Sequence, residues 1–139
     1  MKNTFDIIDH VADVGITAYG EDMKQLFANA ALALFSLITD VQSVKDKLQH
    51  RVEIDSKNRD NLLVEWLNEL IYLFDAEHLL FNQFEIESLD NRQLKATCHG
   101  ERFDPARHRI KIDVKAATYH MLEIAQDIKG YKAQVIFDI

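Results

Sequence analysis

Apolar and polar residues alternate in short runs at both ends of the chain and recur with helical spacing between them. Phe5-Asp6-Ile7-Ile8 predicts a short strand, and Ile16-Thr17-Ala18-Tyr19 a second one closed by Gly20. Met23, Leu26, Phe27, Ala30, Leu34, Leu37 and Ile38 then fall on one helical face. Asp22 stands before them with Gln25 three residues on, the spacing of a capping box. Arg51-Val52-Glu53-Ile54 predicts a strand. A second helix is predicted from near Asp60, with Leu63, Leu67, Leu70, Ile71 and Phe74 on one face and Glu65, Asn68 and Glu69 on another. Trp66, in its middle, reads as packing in the core or at an interface edge. Phe84-Glu85-Ile86-Glu87, a turn at Asp90-Asn91 and a return through Gln93 to Cys98 make a hairpin pattern.

Asp104-Pro105 predicts a helix start or a tight turn. From Ile110 to Ile124, Val114, Ala116, Leu122 and Ile124 put apolar or small side chains at even positions, which predicts one long strand. Lys129-Gly130 turns the chain into a closing strand, Tyr131 to Ile139. Two amphipathic helices and about half a dozen strands predict an α+β fold. It is read as a single two-layer domain over residues 1–139, with a mostly antiparallel sheet and two main helices packed on one face.

Composition sharpens this picture without changing it. The chain has 139 residues with four Gly and one Pro, so loops should be short, and no repeat or low-complexity segment interrupts it. The net charge of −7, with no run of Lys or Arg, offers no general pull on phosphate backbones. Direct, stable nucleic-acid binding is therefore not expected. The longest apolar run, Ala30 to Phe35, is too short to span a bilayer. No secretory signal pattern opens the sequence, and a cytoplasmic protein without membrane association is the expectation. Cys98 is the only cysteine, which excludes an internal disulfide and reads as a small buried hydrophobe.

The candidate chemistry gathers at the chain ends. Tails are usually polar and frayed, yet this one closes in Val135-Ile136-Phe137-Asp138-Ile139. An apolar strand there holds the Asp138 side chain one residue from the Ile139 carboxylate. Near the other end, His10 and Asp13 sit in a stretch that Gly15 allows to turn. Taken alone, that stretch is a polar turn whose side chains satisfy loop backbone groups. If the two ends lie side by side, Asp13, Asp138 and the Ile139 carboxylate can share a cation, and all-oxygen ligation favours Ca²⁺ or Mg²⁺ over Zn²⁺. His108 and His120 flank the predicted long strand, with Asp104 nearby, but at a spacing that matches no metal motif; hydrogen-bonded structural roles are the alternative. Lys115 is an isolated cation, either paired with Asp104 or Asp13 or aimed at a phosphate. No Ser-His-Asp order, P-loop or GxGxxG occurs.

Several stretches resemble, in order, those of the archease family. They are His10-Val11-Ala12-Asp13-Val14-Gly15-Ile16, Asn29 to Phe35, Leu62 to Asp75, Gly100-Glu101 with Asp104-Pro105 and His108, Lys115 to His120, and Phe137-Asp138-Ile139. The resemblance covers essentially the whole chain, with two departures. Val11 stands where the family usually has Thr, and Gly100-Glu101-Arg102 where Gly-Glu-Pro is usual. The resemblance implies a non-enzymatic accessory protein of the RtcB-type RNA ligase, which joins RNA ends in tRNA splicing and repair through a guanylylated histidine. Such a protein promotes ligase guanylylation and multiple turnover. The family's metal site falls on Asp13, Asp138 and Ile139, and implies a divalent cation, Ca²⁺ first, with Mg²⁺ or Mn²⁺ as alternatives. His10, Asp104, His108, Lys115 and His120 are weaker candidates for contact with the partner. The alternatives are a small metal-dependent hydrolase and a chaperone of a tRNA-modifying enzyme.

Overall fold

The first helix, α1 (Met23–Ile38), has nine of its 16 residues buried, spread around most of its circumference. A helix this apolar has to be enclosed rather than laid on a surface. A computed structural model, which describes residues 4–9 and 12–139 (the Asp9 side chain apart), shows how that is done. Around α1 stand strands β1 (Phe5–Asp9), β2 (Asp13–Gly20), β3 (Leu48–Asp55), β4 (Leu79–Leu89), β5 (Gln93–Arg102), β6 (Ala116–Ala117), β7 (Glu123–Asp127) and β8 (Gly130–Asp138). A second helix, α2 (Arg59–Glu77), lies between β3 and β4 in the chain. The α+β class, the two helices and the antiparallel pairing are as the sequence predicts.

The strands divide, however, into two sheets instead of one. One has the order β1-β2-β8-β6, with β7 also paired to β8; the other has the order β3-β5-β4. Helix α1 packs against β2 of the first sheet and β4 of the second, so it serves both. Helix α2 packs on α1, on β6 and on the three strands of the second sheet. The Trp66 indole, fully buried, donates from Nε1 to the Phe27 carbonyl at 3.0 Å and ties the helices together.

Local signals set the element ends. The Asp22 carboxylate accepts from the Gln25 N–H at 2.8 Å, and the Gln25 side chain accepts from the Glu21 N–H at 2.6 Å. The capping box therefore forms, with its return bond one residue further out than the usual pattern. Asn58 caps α2, and His78 ends it in the left-handed conformation at φ 58°. Asp90 accepts from the Arg92 and Gln93 N–H groups, each at 2.8 Å, and closes the predicted β4–β5 hairpin. A register shift in β4 between Phe81 and Gln83 points the intervening Asn82 at the Val41 and Val44 carbonyls, both at 2.9 Å. Gly100 faces that shift; a Cβ there would lie 1.8 Å from the Leu80 carbonyl oxygen, so only glycine lets the strands close.

The long strand predicted from Ile110 to Ile124 does not form. Its backbone groups are used one at a time by separate elements. Lys111 N–H donates to the Ile38 carbonyl at the end of α1 (2.7 Å), and Lys115 N–H to the Asp138 carbonyl at the end of β8 (2.8 Å). Only Ala116 and Ala117 pair as strand before a turn at 119–122, where Met121 takes φ 54°. The even side does turn inward, with Val114 buried and Ile110, Ile112, Leu122 and Ile124 packed against the core, but the run is broken at the turn and Ala117 is buried as well. Asp104-Pro105 opens a tight turn, not a helix, with Arg107 and His108 N–H groups returning to the Asp104 carbonyl.

Candidate functional site

The registration of β2 on β8 brings the two ends of the chain together. Asp13 stands directly opposite Asp138, with Val14 opposite Phe137 and Gly15 opposite Ile136 in the next rows. Val14, Ile16 and Ala18 of β2 and Ala133, Val135 and Phe137 of β8 are buried toward α1. Strand alternation puts the two aspartates together on the opposite face. Cross-strand partners have Cβ atoms about 4.5–5.5 Å apart, a separation at which two like charges repel. The Asp138 side chain is exposed, whereas Asp13 is partly buried and its Oδ1 reaches neither solvent nor a hydrogen-bond partner among the described residues. Buried carboxylate oxygens are normally satisfied. An oxygen left over, facing a second carboxylate, is a donor set that fits a hard cation. Ile139 is partly buried against the core, which anchors the main chain beyond Asp138.

The neighbouring strand is held in place by α2. Asn68 accepts from the Ala117 N–H at 2.7 Å and donates to the Ala117 carbonyl at 3.1 Å, so its side-chain amide acts as a third strand beside β6. β6 in turn pairs Ala116 with Asp138. Asn68→Ala leaves two backbone groups unsatisfied, and we expect a loss of about 1–2 kcal/mol in a urea melt. The effect should be accompanied by faster amide exchange at Ala117; unchanged exchange there would count against this role.

The other predicted residues do not gather here. Lys115 reaches the pair through its backbone; its side chain is exposed and, among the described residues, makes no ion pair with Asp13 or Asp104. His120 is exposed, with its N–H on Thr118 Oγ1 at 3.3 Å. His10 lies outside the described residues. Asp104 and His108 belong to the end of the second sheet. There the Asp104 N–H donates to His108 Nδ1 at 2.8 Å, so the proton of a neutral imidazole sits on Nε2, which meets Glu101 Oε2 at 3.0 Å. Both ring nitrogens are used within the protein. Among the described residues, no three His, Cys, Asp or Glu side chains converge as a metal cluster.

Comparison with known proteins finds relatives that match along nearly the whole chain. The profile of the Archease protein family matches residues 5–139. Protein archease of Methanothermobacter thermautotrophicus is 41% identical over 138 residues, covering 97% of this chain and 98% of that protein. Protein archease of Methanosarcina mazei is 37% identical over 139 residues, covering 97% and 95%. The chain belongs to the archease family. The solution structure of protein 1598 from Methanobacterium thermoautotrophicum superposes on this archease with a TM-score of 0.84 at 40% identity, covering 98% of this chain and 99% of that one. An archease from Thermotoga maritima, described as a possible chaperone, shares the fold with a TM-score of 0.64 at 19% identity, over 95% and 94% of the two chains.

One charged centre of this archease is visible only in three dimensions. Glu101, at the end of β5, is 3% exposed. Its carboxylate accepts from the Lys45 N–H at 2.7 Å, from the Arg107 guanidinium and from His108 Nε2, with Lys47 Nζ 3.8 Å away. Burial alone would push its carboxyl up; the bonds from Lys45, His108 and Arg107 and the Arg107 charge outweigh that and hold it at about 2. The sequence signal was a carboxylate ending a strand, then Asp104-Pro105, then a cation and an imidazole six and seven residues on. Cys98 is fully buried, and burial pushes its thiol up to about 12, as befits a packing residue. Among the described residues, no helix is long and apolar enough to cross a membrane.

Proposed function

We propose that this archease is a metal-bearing accessory protein of an RtcB-type RNA ligase and promotes its guanylylation and repeated turnover. The observation that carries the reading is the Asp13–Asp138 pair, registered at the chain ends, with Asp13 Oδ1 buried and unpartnered. Asp13, Asp138 and the Ile139 carboxylate would hold the ion, with Ca²⁺ first and Mg²⁺ or Mn²⁺ next for an all-oxygen set. When bound, the ion supplies positive charge that offsets the repulsion of the carboxylates. A hydrolase reading has less support, because a hydrolase needs a nucleophile or an assignable base. His108 has both nitrogens engaged and the Cys98 thiol is buried.

The direct test incubates the ligase with GTP and Mn²⁺, with and without this protein. The fraction of guanylylated ligase and the number of turnovers per ligase should both rise in its presence; if neither changes, the proposal fails. Lys115 offers a finer test. Its side chain is exposed and its backbone N–H bonds the Asp138 carbonyl, so Lys115→Ala should abolish stimulation and leave the melting temperature unchanged. A fall in melting temperature together with lost stimulation would mark Lys115 as structural instead.

A further inference from the structure

A chain of net charge −7 carries one face of opposite sign. Residues 40–47 and 101–111 contain six of its 16 basic residues and four of its 23 acidic ones. They are joined in space by Glu101 on the Lys45 N–H, Arg107 on the Ser43 carbonyl (3.4 Å) and Lys111 N–H on Ile38. A groove of about 510 Å³ is lined by Arg107, Arg109 and Lys111 together with Asp40 and Ser43. Next to it, and sharing Arg107, is a groove of about 320 Å³ lined by Lys47, Arg102 and Phe103, among others. Ile110 packs inward against the core and bridges to Thr39, which leaves its neighbours Arg109 and Lys111 exposed on the outer side. On an extended segment, alternate residues lie about 6.6 Å apart, comparable to successive phosphates along a single strand.

The acidic groups on this face are largely spoken for. Glu101 is enclosed by Arg107, His108 and the Lys45 N–H, and Asp104 is 3.6 Å from Arg107. Asp40 accepts from the Gln42 N–H. Among the described residues, Arg109 and Lys111 have no carboxylate partner. We infer that the two adjoining grooves form a binding track for the phosphate backbone of a single-stranded polynucleotide. A positively charged groove that follows the backbone holds single strands without regard to sequence; the Phe103 ring, stacked on His108 and set edge-on to Phe74, serves the fold and not the track. A bare phosphate has no use for a track, and the separation of Arg109 and Lys111 suits successive phosphates.

The inference does not rest on the cation site or on the ligase, and the test is arranged to keep them apart. Fluorescently labelled single-stranded RNA of about ten nucleotides is titrated with the whole protein in low salt and EDTA, reading anisotropy. Weak, saturable binding is expected, with log affinity falling against log salt at a slope of about −1.4 to −2.1, for two to three phosphates neutralised. Arg109→Ala with Lys111→Ala should weaken binding at least tenfold with the melting temperature unchanged. Because both residues flank the end of α1, Arg109→Lys with Lys111→Arg serves as the charge-preserving control and should bind as wild type does. Absence of binding by wild type, or equal binding by the alanine variant, overturns the inference. Competition as strong from GTP or from polyglutamate, at equal charge, overturns the assignment to a polynucleotide.

Discussion

Glu101→Ala should unfold this archease at a much lower urea concentration than wild type, with a loss of about 3 kcal/mol. The residue is the shared acceptor of three donors: the Lys45 N–H, the Arg107 guanidinium and the His108 Nε2–H. Removing it strands the His108 side chain, which is fully buried, and leaves the Lys45 N–H without its partner. Arg107 keeps a side chain about a third exposed and can turn to water, which holds the loss near the low end for a broken buried pair. Loss of the same contacts frees residues 103–111 from β5, so the damage should reach the crossing that leads to β6. A change smaller than 0.5 kcal/mol, about that of an ordinary surface substitution, would show that the centre is not a clamp.

The same residue gives wild type a signature in acid. Its carboxyl is held at about 2, below the ordinary 4.5, so the folded state binds this proton less readily than the unfolded one. The stability it contributes is present above 4.5 and is lost as the pH falls toward 2. Urea midpoints of wild type should therefore decline across that window. Glu101→Gln, which cannot titrate, starts lower at neutral pH and should decline less steeply there. Parallel curves would remove Glu101 from the account of acid sensitivity.

The second large effect concerns the aspartate pair. Calorimetric titration with Ca²⁺, Mg²⁺ and Mn²⁺ should show saturable binding to wild type, and Asp13→Ala and Asp138→Ala should each abolish it. Both variants should also reduce ligase guanylylation and turnover to the level seen without archease. In EDTA the variants should be as stable as wild type or slightly more so, because a cross-strand repulsion of some tenths of a kcal/mol has gone. That sign matters: a metal-free loss of several kcal/mol would mean the aspartates are structural. One residue added after Ile139 moves the main-chain carboxylate away from the pair and should weaken binding with every side chain intact. Equal affinity in the extended protein would exclude the terminus as a ligand. Absence of heat with all three ions would leave Asp138 as a charge presented to the partner.

Much of the fold was legible in the sequence because it is locally encoded. Both helices show in the spacing of Leu26, Phe27, Ala30 and Leu34, and of Leu63, Leu67, Leu70 and Phe74; the cap at Asp22 and the turn at Asp90-Asn91 depend on hydrogen bonds between near neighbours. The site was legible in part. Asp13 and Asp138 stood out as carboxylates at the two chain ends, but only the β2–β8 register sets them opposite each other.

What periodicity could not reach is where a segment finds its partner. Residues 110–124 carry a strand-like pattern, yet their N–H groups go first to Ile38 at the end of α1 and only then to Asp138 and Ile136 of β8, so just two short pieces, β6 and the start of β7, pair as strand. The Glu101 centre and the cationic face depend in the same way on segments 40–47 and 101–111 meeting across a gap of more than fifty residues. The sequence by itself determined the helices, the hairpin, the closing strand and the residues able to carry charge at its ends. These follow from a repeat of two or 3.6 residues and from caps a few residues long. Only the tertiary structure decided the division into two sheets about α1, the pairing of Asp13 with Asp138 and the enclosure of Glu101. Each is settled by which faces can be buried together and which polar groups can be satisfied once they are.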